Sequence, residues 1–155
     1  MADVHLAQIN VARMLWPLDD PRMAGFVAQL AAINALAEQS PGFVWRLQGA
    51  HGDSTDVRAF DDPLILVNMS VWESVKALQD YAYRSEHADV MRDRKRWFGR
   101  YGGPYYALWW IPAGHVPTVE EGRERLNRLA ENGPSAEAFW FGAIFESFAT
   151  VARAP

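Results

Sequence analysis

The sequence predicts an α+β fold in which a β-α-β unit occurs twice and builds one four-stranded antiparallel sheet. Residues 6–48 contain a strand, a helix and the strand of "SPGFVWRLQ". Residues 64–111 repeat that layout with the strand "LILVNMSVW", a helical region and the aromatic strand "PYYALWWI". Two units of this size predict two helices on one face of the sheet, and the other face then needs a separate cover.

The first unit is recognised from alternation and turn residues. Apolar and polar residues alternate from His5 to Arg13, which predicts a strand with one apolar and one partly polar face. Asp20 and Pro21 suit the start of a helix whose apolar residues recur at helical spacing. The turn at residues 40–42 ends that helix, and residues 43–48 form the second strand.

The second unit has the same order after a longer connection. Residues 49–63 are polar and rich in turn residues, with room for a short strand at 57–60. The elements that follow are a strand over 64–72, helical segments over 73–83 and 86–99, and a strand over 105–111.

The C-terminal part is an accessory region. Thr118 and Glu121 have the spacing of a capping box, which predicts a third helix over 119–131. The tail after it contains five aromatic residues between Phe139 and Phe148, which must pack because exposed rings would form a costly apolar patch. We expect one domain over 1–155, with a core over 4–112 and the accessory helix and tail over 113–155.

Composition narrows the classes of function. The net charge of −4 and the pI of about 5.5 argue against a nucleic-acid-binding protein. The chain has no cysteine, which excludes disulfides, thiolate nucleophiles and thiolate-bound metals. The N-terminus lacks a signal-peptide pattern and no stretch approaches a membrane span in length, so we expect a soluble cytoplasmic protein without a membrane partner.

Side-chain parity divides the sheet into two different faces. The wholly apolar face, with Ile9 and Met69, is expected to meet the two helices. The far face carries Leu6, Gln8, Asn10, Val44, Arg46, Gln48, Leu66, Asn68 and Ser70. An unpaired buried polar group costs about 1–3 kcal/mol, so this face needs a partner with polar groups or a ligand. Two such faces would enclose a pocket, which predicts a homodimer; the alternative is that the accessory helix and tail cover this face within one chain.

Four segments in order carry a resemblance to a known superfamily: "PGFVWRLQ", "VNMSVWES", "YRSEH" and "LWWIPAGH". With the doubled unit they resemble the dimeric α/β-barrel superfamily, which includes antibiotic-biosynthesis monooxygenases, haem-degrading monooxygenases, chlorite dismutases and haem-dependent aldoxime dehydratases. Within it the chain is most similar, over roughly residues 4–145, to a bacterial family of domains of unknown function. The resemblance implies a ferredoxin-like core that pairs into a dimeric α/β barrel.

His87 is the first candidate for a catalytic residue. On a helix over 86–99 it shares a stripe with Met91, Arg94 and Trp97 that should face the cavity. An inward-facing His can move a proton, bind a metal or haem, or hydrogen-bond a ligand. The resemblance implies a role on haem or substrate for a His in this region, and the alternative is a structural His with satisfied hydrogen bonds.

Polar side chains on the far face are the second candidate. Gln8, Asn10 and Asn68 can hold a carbonyl or phenolate oxygen, and Arg46 can offset developing negative charge. The alternative is a polar seam satisfied across a dimer interface, or Arg46 paired with an acid such as Asp61 or Asp62.

Aromatic residues of the last strand are expected to line the pocket. Parity leaves two alternatives open: either Trp109 faces the pocket, or Trp110 faces it together with Tyr106. Either arrangement gives an aromatic wall for a flat apolar ligand. Gln8 and Ser70 would join them in binding substrate. No two His have the helical spacing of a metal site, and nucleotide-binding and nucleophile-elbow motifs are missing from the sequence, so no metal is predicted.

These residues support three functional hypotheses. The first is an enzyme that acts on a small apolar or aromatic substrate. It would perform cofactor-independent monooxygenation or a related proton transfer such as isomerisation or cyclisation. In it His87 moves the proton, while Asn10, Asn68 and Arg46 hold the developing oxyanion. The second has the same fold with haem bound and His87 as its axial ligand. The third is a non-catalytic protein that binds a small apolar ligand.

Overall fold

The computed structural model describes residues 3–49, 52–84 and 93–147. Its regular elements in chain order are β1 (Val4–Met14), α1 (Ala24–Gln39), β2 (Phe43–Arg46), β3 (Ile65–Trp72), α2 (Val75–Arg84), β4 (Phe98–Gly99), β5 (Tyr106–Pro112) and α3 (Val119–Asn132). Short 3₁₀ turns, Pro21–Met23 and Arg94–Arg96, precede α1 and β4. Within these described ranges, none of the helices combines the length and the apolar character that crossing a bilayer requires.

The sheet is antiparallel, with β1 at its centre. β3 pairs along one edge of β1 and is followed by β2, while β5 pairs along the other edge. Gln8 of β1 therefore lies between Ser70 of β3 and Leu108 of β5. The order β2-β3-β1-β5, with α1 and α2 as the connections, confirms the α+β class and the ferredoxin-like doubled β-α-β core.

A short additional strand, β4, replaces the C-terminal part of the helix expected over 86–99. Phe98 pairs with Met14 at the end of β1. The rings of Trp97 and Phe98 both pack on Phe26 of α1, with centroids 6.0 and 5.0 Å away. Adjacent residues on an α-helix point roughly 100° apart, so an extended backbone suits two consecutive rings that reach the same helix. Residues 86–92 of the expected helix lie outside the described residues.

Element boundaries follow local signals in the sequence. Asp20 accepts a hydrogen bond from the Arg22 backbone N–H, and its hydrogen bonds with Arg22 lower the pKa of the Asp20 carboxyl to about 2. Thr118 Oγ1 accepts from the Glu121 N–H at 3.1 Å, which confirms the predicted cap of α3. The short strand for which 57–60 had room does not form; those residues are irregular, although Ala59 is buried.

The two faces of the sheet are covered by different helices. The sequence predicts α1 and α2 on the wholly apolar face, but in the structure they lie on the opposite face. α3 packs on the wholly apolar face, where Leu126 and Leu129 join Ile9 and Met69 in one core cluster. Gly122 allows this close approach, because a Cβ there would lie 2.8 Å from Ile9 Cδ1. The expectation that the two helices of the repeat meet the apolar face is therefore wrong.

Helices α1 and α2 instead cover the far face of the sheet, which carries both polar and apolar residues and is here called the mixed face. Ala37 of α1 and Leu78 of α2 belong to one cluster with Leu6, Trp72 and Leu108 of the sheet. Parity identifies which residues share a face, but it does not say which face the connecting helices cover. Both faces thus have a cover from the same chain, and the mixed face does not need a second subunit for that purpose.

The C-terminal tail runs beside β5. Phe139 is fully buried and exchanges two backbone hydrogen bonds of 2.9 Å with Leu108. Trp110 Nε1 donates to the Phe145 carbonyl at 2.7 Å. The tail therefore pairs with the free edge of a strand that would otherwise be open to other chains. Phe148, the last aromatic residue of the tail, lies outside the described residues.

Candidate functional site

A cavity of about 440 Å³ lies between the mixed face of the sheet and helices α1 and α2. α1 contributes Phe26, Leu30 and Ile33 to its wall, and α2 contributes Leu78 and Tyr81. This volume is within the range of small-molecule sites. The pocket is enclosed by the sheet and helices of one chain, which corrects the expectation of a cavity between the sheets of two subunits.

Four polar side chains form a hydrogen-bonded group on the sheet side of the cavity, here called the amide cluster (Gln8, Asn10, Asn68 and Ser70). Gln8 Nε2 donates to Ser70 Oγ at 2.7 Å and to Asn68 Oδ1 at 3.0 Å. Asn10 Nδ2 donates to Gln8 Oε1 at 3.0 Å and to Asn68 Oδ1 at 3.4 Å. The sheet register creates the cluster, because Gln8 lies opposite Ser70, Asn10 lies opposite Asn68, and residues two apart share a face.

The amide cluster leaves hydrogen-bond donors available to a ligand. Asn68 Oδ1 already receives two N–H groups, and its Nδ2 makes no hydrogen bond to the described residues. Ser70 Oγ accepts from Gln8 and, at 2.8 Å, from Trp72 Nε1, which leaves its own proton free to be donated. A carbonyl, enolate or phenolate oxygen complements these two donors.

Arg46 lines the same cavity but already has partners. Its Nε donates to Glu38 of α1 at 2.8 Å, and its Nη1 donates to the Gly52 carbonyl at 2.7 Å. The acid is therefore Glu38 rather than Asp61 or Asp62, and Asp62 pairs with Arg13 instead. The charge of Arg46 is compensated before any ligand binds.

Tyr81 is a titratable group whose pKa is shifted by this environment. Burial raises the pKa of its phenol to about 12, and the positive charge of Arg46 opposes that shift. The ring stacks on Trp72, with centroids 5.0 Å apart, and the hydroxyl donates to the Ile33 carbonyl at 3.4 Å. Tyr81 is therefore a neutral phenol at physiological pH.

Another part of the wall combines aromatic rings with a cation. We call it the tyrosine cluster (Tyr83, Tyr105, Tyr106 and Phe141); the Tyr105 and Tyr106 centroids are 5.2 Å apart, and Phe141 lies 5.5 Å from Tyr83 and 5.8 Å from Tyr106. The Arg94 guanidinium lies over the Tyr105 ring, 5.6 Å from its centroid. Tyr83 and Tyr105 are 61% and 47% exposed, so the cavity opens to solvent here.

The two tryptophans of β5 do not belong to the described cavity wall. Trp109 is fully buried on the face that α3 covers, and its Nε1 makes no hydrogen bond to the described residues. Trp110 lies on the cavity face of the sheet, but its ring packs on Phe139, with centroids 6.3 Å apart. Tyr106 does line the cavity, and its hydroxyl accepts the Phe141 N–H at 3.2 Å.

His87 lies outside the described residues, between Tyr83 and Arg94 in the chain. Tyr83 and Arg94 both line the cavity. In the remainder of the chain that the structure describes, no group of three or more His, Cys, Asp or Glu side chains could hold a metal ion. The role of His87 therefore stays a prediction.

Sequence reasoning placed Arg94 and Trp97 on a stripe that faces the cavity, and both line it, although the backbone there is a 3₁₀ turn rather than the expected helix. It missed the lining residues of α1. Among them is Gln29, whose buried Oε1 makes no hydrogen bond to the described residues. One available signal was the run 24–37, which has no charged residue and so does not look like an ordinary surface helix.

Solved structures of similar fold share little sequence with the chain. SnoaB, a cofactor-independent oxygenase from Streptomyces nogalater, aligns with a TM-score of 0.48 and 15% identity, covering 72% of this chain and 95% of its own. NE2512, a protein of unknown function from Nitrosomonas europaea, gives a TM-score of 0.47 and 12% identity, covering 76% and 99%. MupZ from Pseudomonas fluorescens gives 0.44 and 12%, covering 100% and 95%.

Sequence comparison gives a different kind of result. No curated protein matches the chain. The model of one protein family, described as a domain of unknown function (DUF3291), matches residues 5–153. That match spans nearly the whole chain and includes the sheet, the cavity-lining helices, α3 and the tail. The chain therefore belongs to the DUF3291 family.

Proposed function

We propose that the protein is an enzyme that binds a small apolar substrate, aromatic ones included, and performs cofactor-independent monooxygenation or a related proton transfer. The observation that carries this proposal is the amide cluster, where Asn68 and Ser70 have donors without acceptors among the described residues. The rest of the wall is largely apolar and aromatic. A few polar groups in an otherwise apolar pocket are typical of sites that orient a small molecule.

The proposed reaction begins with the loss of a proton from a carbon that is conjugated with a substrate carbonyl, either directly or through an aromatic ring. The enolate that forms has much of its negative charge on oxygen. Donors fixed in a cavity of low dielectric stabilise this oxyanion more than the neutral carbonyl, so deprotonation becomes easier. Dioxygen is then the oxidant: a CH₂ group becomes C=O, and the second oxygen atom leaves as water with the two hydrogens.

Different residues would serve these steps. We assign His87 as the group that accepts the proton, supported by its position in the chain between two lining residues, Tyr83 and Arg94. Asn68 would hold the oxyanion, and Asn10 would keep the Asn68 amide in its orientation by donating to Oδ1. Arg46 would have a smaller role, because Glu38 already balances its charge.

The proposal can be tested with anthrone, a tricyclic ketone with an acidic CH₂ group. One anthrone and one dioxygen give one anthraquinone and one water, so oxygen uptake and quinone absorbance report the same reaction. We expect the protein to accelerate it, and Asn68→Ala to lower kcat about 10²–10³-fold, as the loss of an oxyanion donor does elsewhere. His87→Ala should lower it by about 10²–10⁴-fold.

Asn127→Ala is the matched control, because Asn127 is exposed on α3 and remote from the cavity wall. It should keep full activity. Anthrone that binds without being turned over would contradict the enzyme proposal and favour a ligand-binding protein. Undiminished turnover by Asn68→Ala would rule out the assigned oxyanion site.

A haem-containing alternative rests on His87 as the axial ligand. None of the described lining residues is a His, Met or Cys. The described wall therefore supplies none of these three ligand types, and we derive no step through haem. Titration with haem, followed through its Soret band, tests the alternative directly.

We also propose that two copies of the chain form a homodimer. The mixed face is not the proposed interface, since α1 and α2 cover it. The outer surface of α1 is a different candidate, because Val27 is 41% exposed beside exposed alanines in a run without charge. An exposed apolar surface of this kind is typical of an interface. Light scattering coupled to size exclusion would show a mass of about twice 17.5 kDa if two copies associate.

A further inference from the structure

The charge of the described part of the cavity wall is opposite in sign to that of the whole chain. The chain has 19 acidic and 15 basic residues, with a net charge of −4. The described residues that line the cavity nevertheless include Arg46 and Arg94 and no Asp or Glu. Glu38 balances Arg46 from outside the wall, so among the described residues the remaining uncompensated charge at the cavity is that of Arg94.

Arg94 is held at the open end of the cavity. It is partly buried at the start of the 3₁₀ turn Arg94–Arg96, and its guanidinium lies 5.6 Å from the centroid of the Tyr105 ring. This contact orients the side chain, and it leaves the guanidinium without an anionic partner among the described residues. A partly buried cation without a counter-ion favours the binding of an anion.

Tyr106 adds a hydrogen-bond donor in the same cluster of rings. Its hydroxyl oxygen accepts the Phe141 N–H at 3.2 Å, so its proton is free for a ligand. Burial raises the pKa of the Tyr106 phenol, and the neighbouring Tyr83 and Tyr105 raise it further. The phenol therefore stays protonated near neutral pH and can donate a hydrogen bond.

We propose that the natural ligand is an organic anion, with a flat apolar body inside the cavity and one acidic group that pairs with Arg94 and accepts from Tyr106. This inference rests on the proposed function, namely that a small apolar molecule occupies the cavity, and it specifies the class of that molecule. Carboxylates match the planar guanidinium fork best, because two N–H groups can bind both oxygens.

Two fluorescent probes separate the acidic group from the apolar body. Anilinonaphthalene sulfonate and N-phenylnaphthylamine share the same aromatic skeleton, and only the first carries an acidic group. We expect the protein to bind the sulfonate about tenfold more tightly than the neutral amine, the effect of roughly one charge-assisted hydrogen bond. Arg94→Gln should abolish that preference and leave the affinity for the neutral amine unchanged.

Arg96→Gln is the matched control. Arg96 lies on the same turn, but its side chain is 73% exposed and within 4.0 Å of Asp93, and it does not line the cavity. This variant should keep the preference for the sulfonate, and Arg94→Lys should recover part of it. A preference that survives Arg94→Gln, or equal binding of both probes by the unaltered protein, overturns the inference while the proposed apolar site stands. Failure of both probes to bind contradicts the proposed function as well.

Discussion

Gln8 and Ser70 lie directly opposite each other on neighbouring strands, and Gln8 Nε2 donates a hydrogen bond of 2.7 Å to Ser70 Oγ. Both side chains are buried, at 6% and 7% exposure. The same hydroxyl accepts from Trp72 Nε1 at 2.8 Å. Ser70 thus connects the amide cluster to the aromatic wall of the cavity, and one oxygen atom satisfies two buried donors.

Ser70→Ala should therefore destabilise the protein more than the loss of one hydroxyl suggests. Gln8 Nε2 would retain Asn68 as an acceptor, but Trp72 Nε1 would lose the acceptor that it has here. Leaving a buried donor unsatisfied costs about 1–3 kcal/mol, and we expect a decrease of this size in the free energy of unfolding. Urea unfolding followed by tryptophan fluorescence measures it.

Ser54→Ala is the control for that substitution. Ser54 also lines the cavity, and its hydroxyl makes no hydrogen bond to the described residues. Its replacement should change the unfolding free energy by less than about 0.5 kcal/mol. Equal effects from the two variants would show that the bonds to Ser70 Oγ do not stabilise the fold.

The packing of α3 on the apolar face predicts that this helix is part of the main core. Leu129 is 2% exposed and belongs to the cluster that contains Ile9 and Met69. Leu129→Ala should lower the free energy of unfolding by about 2–5 kcal/mol through lost burial and a cavity. Asn127→Ala, on the exposed side of the same helix, should have little effect. Chemical denaturation of both variants tests this, and a tolerated Leu129→Ala would mean that α3 is peripheral.

The amide cluster was predictable because it depends on local parity and on strand pairing. Alternation in β1 puts Gln8 and Asn10 on one face, and alternation in β3 does the same for Asn68 and Ser70. Once the doubled β-α-β unit fixes β1 beside β3, these four side chains must lie near one another. That reasoning needs no knowledge of distant packing.

The position of the cavity was not predictable by the same reasoning. Which face α1 and α2 cover depends on how an accessory helix competes for the apolar face, and α3 gains close contact there through Gly122. Arg94 was expected to face the cavity from a helix over 86–99. It does line the cavity, but from the 3₁₀ turn that precedes β4.

Gly42 lies between α1 and β2, and its conformation predicts a severe effect of substitution. Its φ is +83°, and a Cβ there would lie 2.5 Å from the Ala77 Cβ of α2. Gly42→Ala should lower the free energy of unfolding by at least about 1–3 kcal/mol from the backbone conformation, with the clash adding more. Thermal and urea unfolding measure the sum.

Gly52 separates the two contributions. Its φ of +85° is nearly the same, but among the described residues other than its chain neighbours no atom lies within 4 Å of the position that a Cβ would take. Gly52→Ala therefore reports the backbone cost alone. The excess cost of Gly42→Ala over Gly52→Ala is then the cost of the contact with α2. If the two variants are equally destabilised, α2 moves aside without loss and the close approach is not a constraint.

Tyr81 predicts a loss of stability at alkaline pH. Burial raises its pKa from 10.0 to about 12 in the folded chain. Below pH 10 the phenol is protonated in both the folded and the unfolded chain, and its contribution to stability is fully present. As the pH rises through the interval between the two pKa values, the unfolded chain ionises first, so the free energy of unfolding falls until the folded pKa is passed.

Urea unfolding across this interval should show a steeper decline for the unaltered protein than for Tyr81→Phe, which has no phenol to ionise at that position. Tyrosinate absorbance supplies an independent check, because the unaltered protein should retain a late-titrating phenol that Tyr81→Phe lacks. Parallel stability profiles for the two proteins would contradict the burial of an un-ionised phenol against Trp72 and α1. A phenol that ionises equally in the folded and the unfolded chain contributes nothing to the pH dependence of folding.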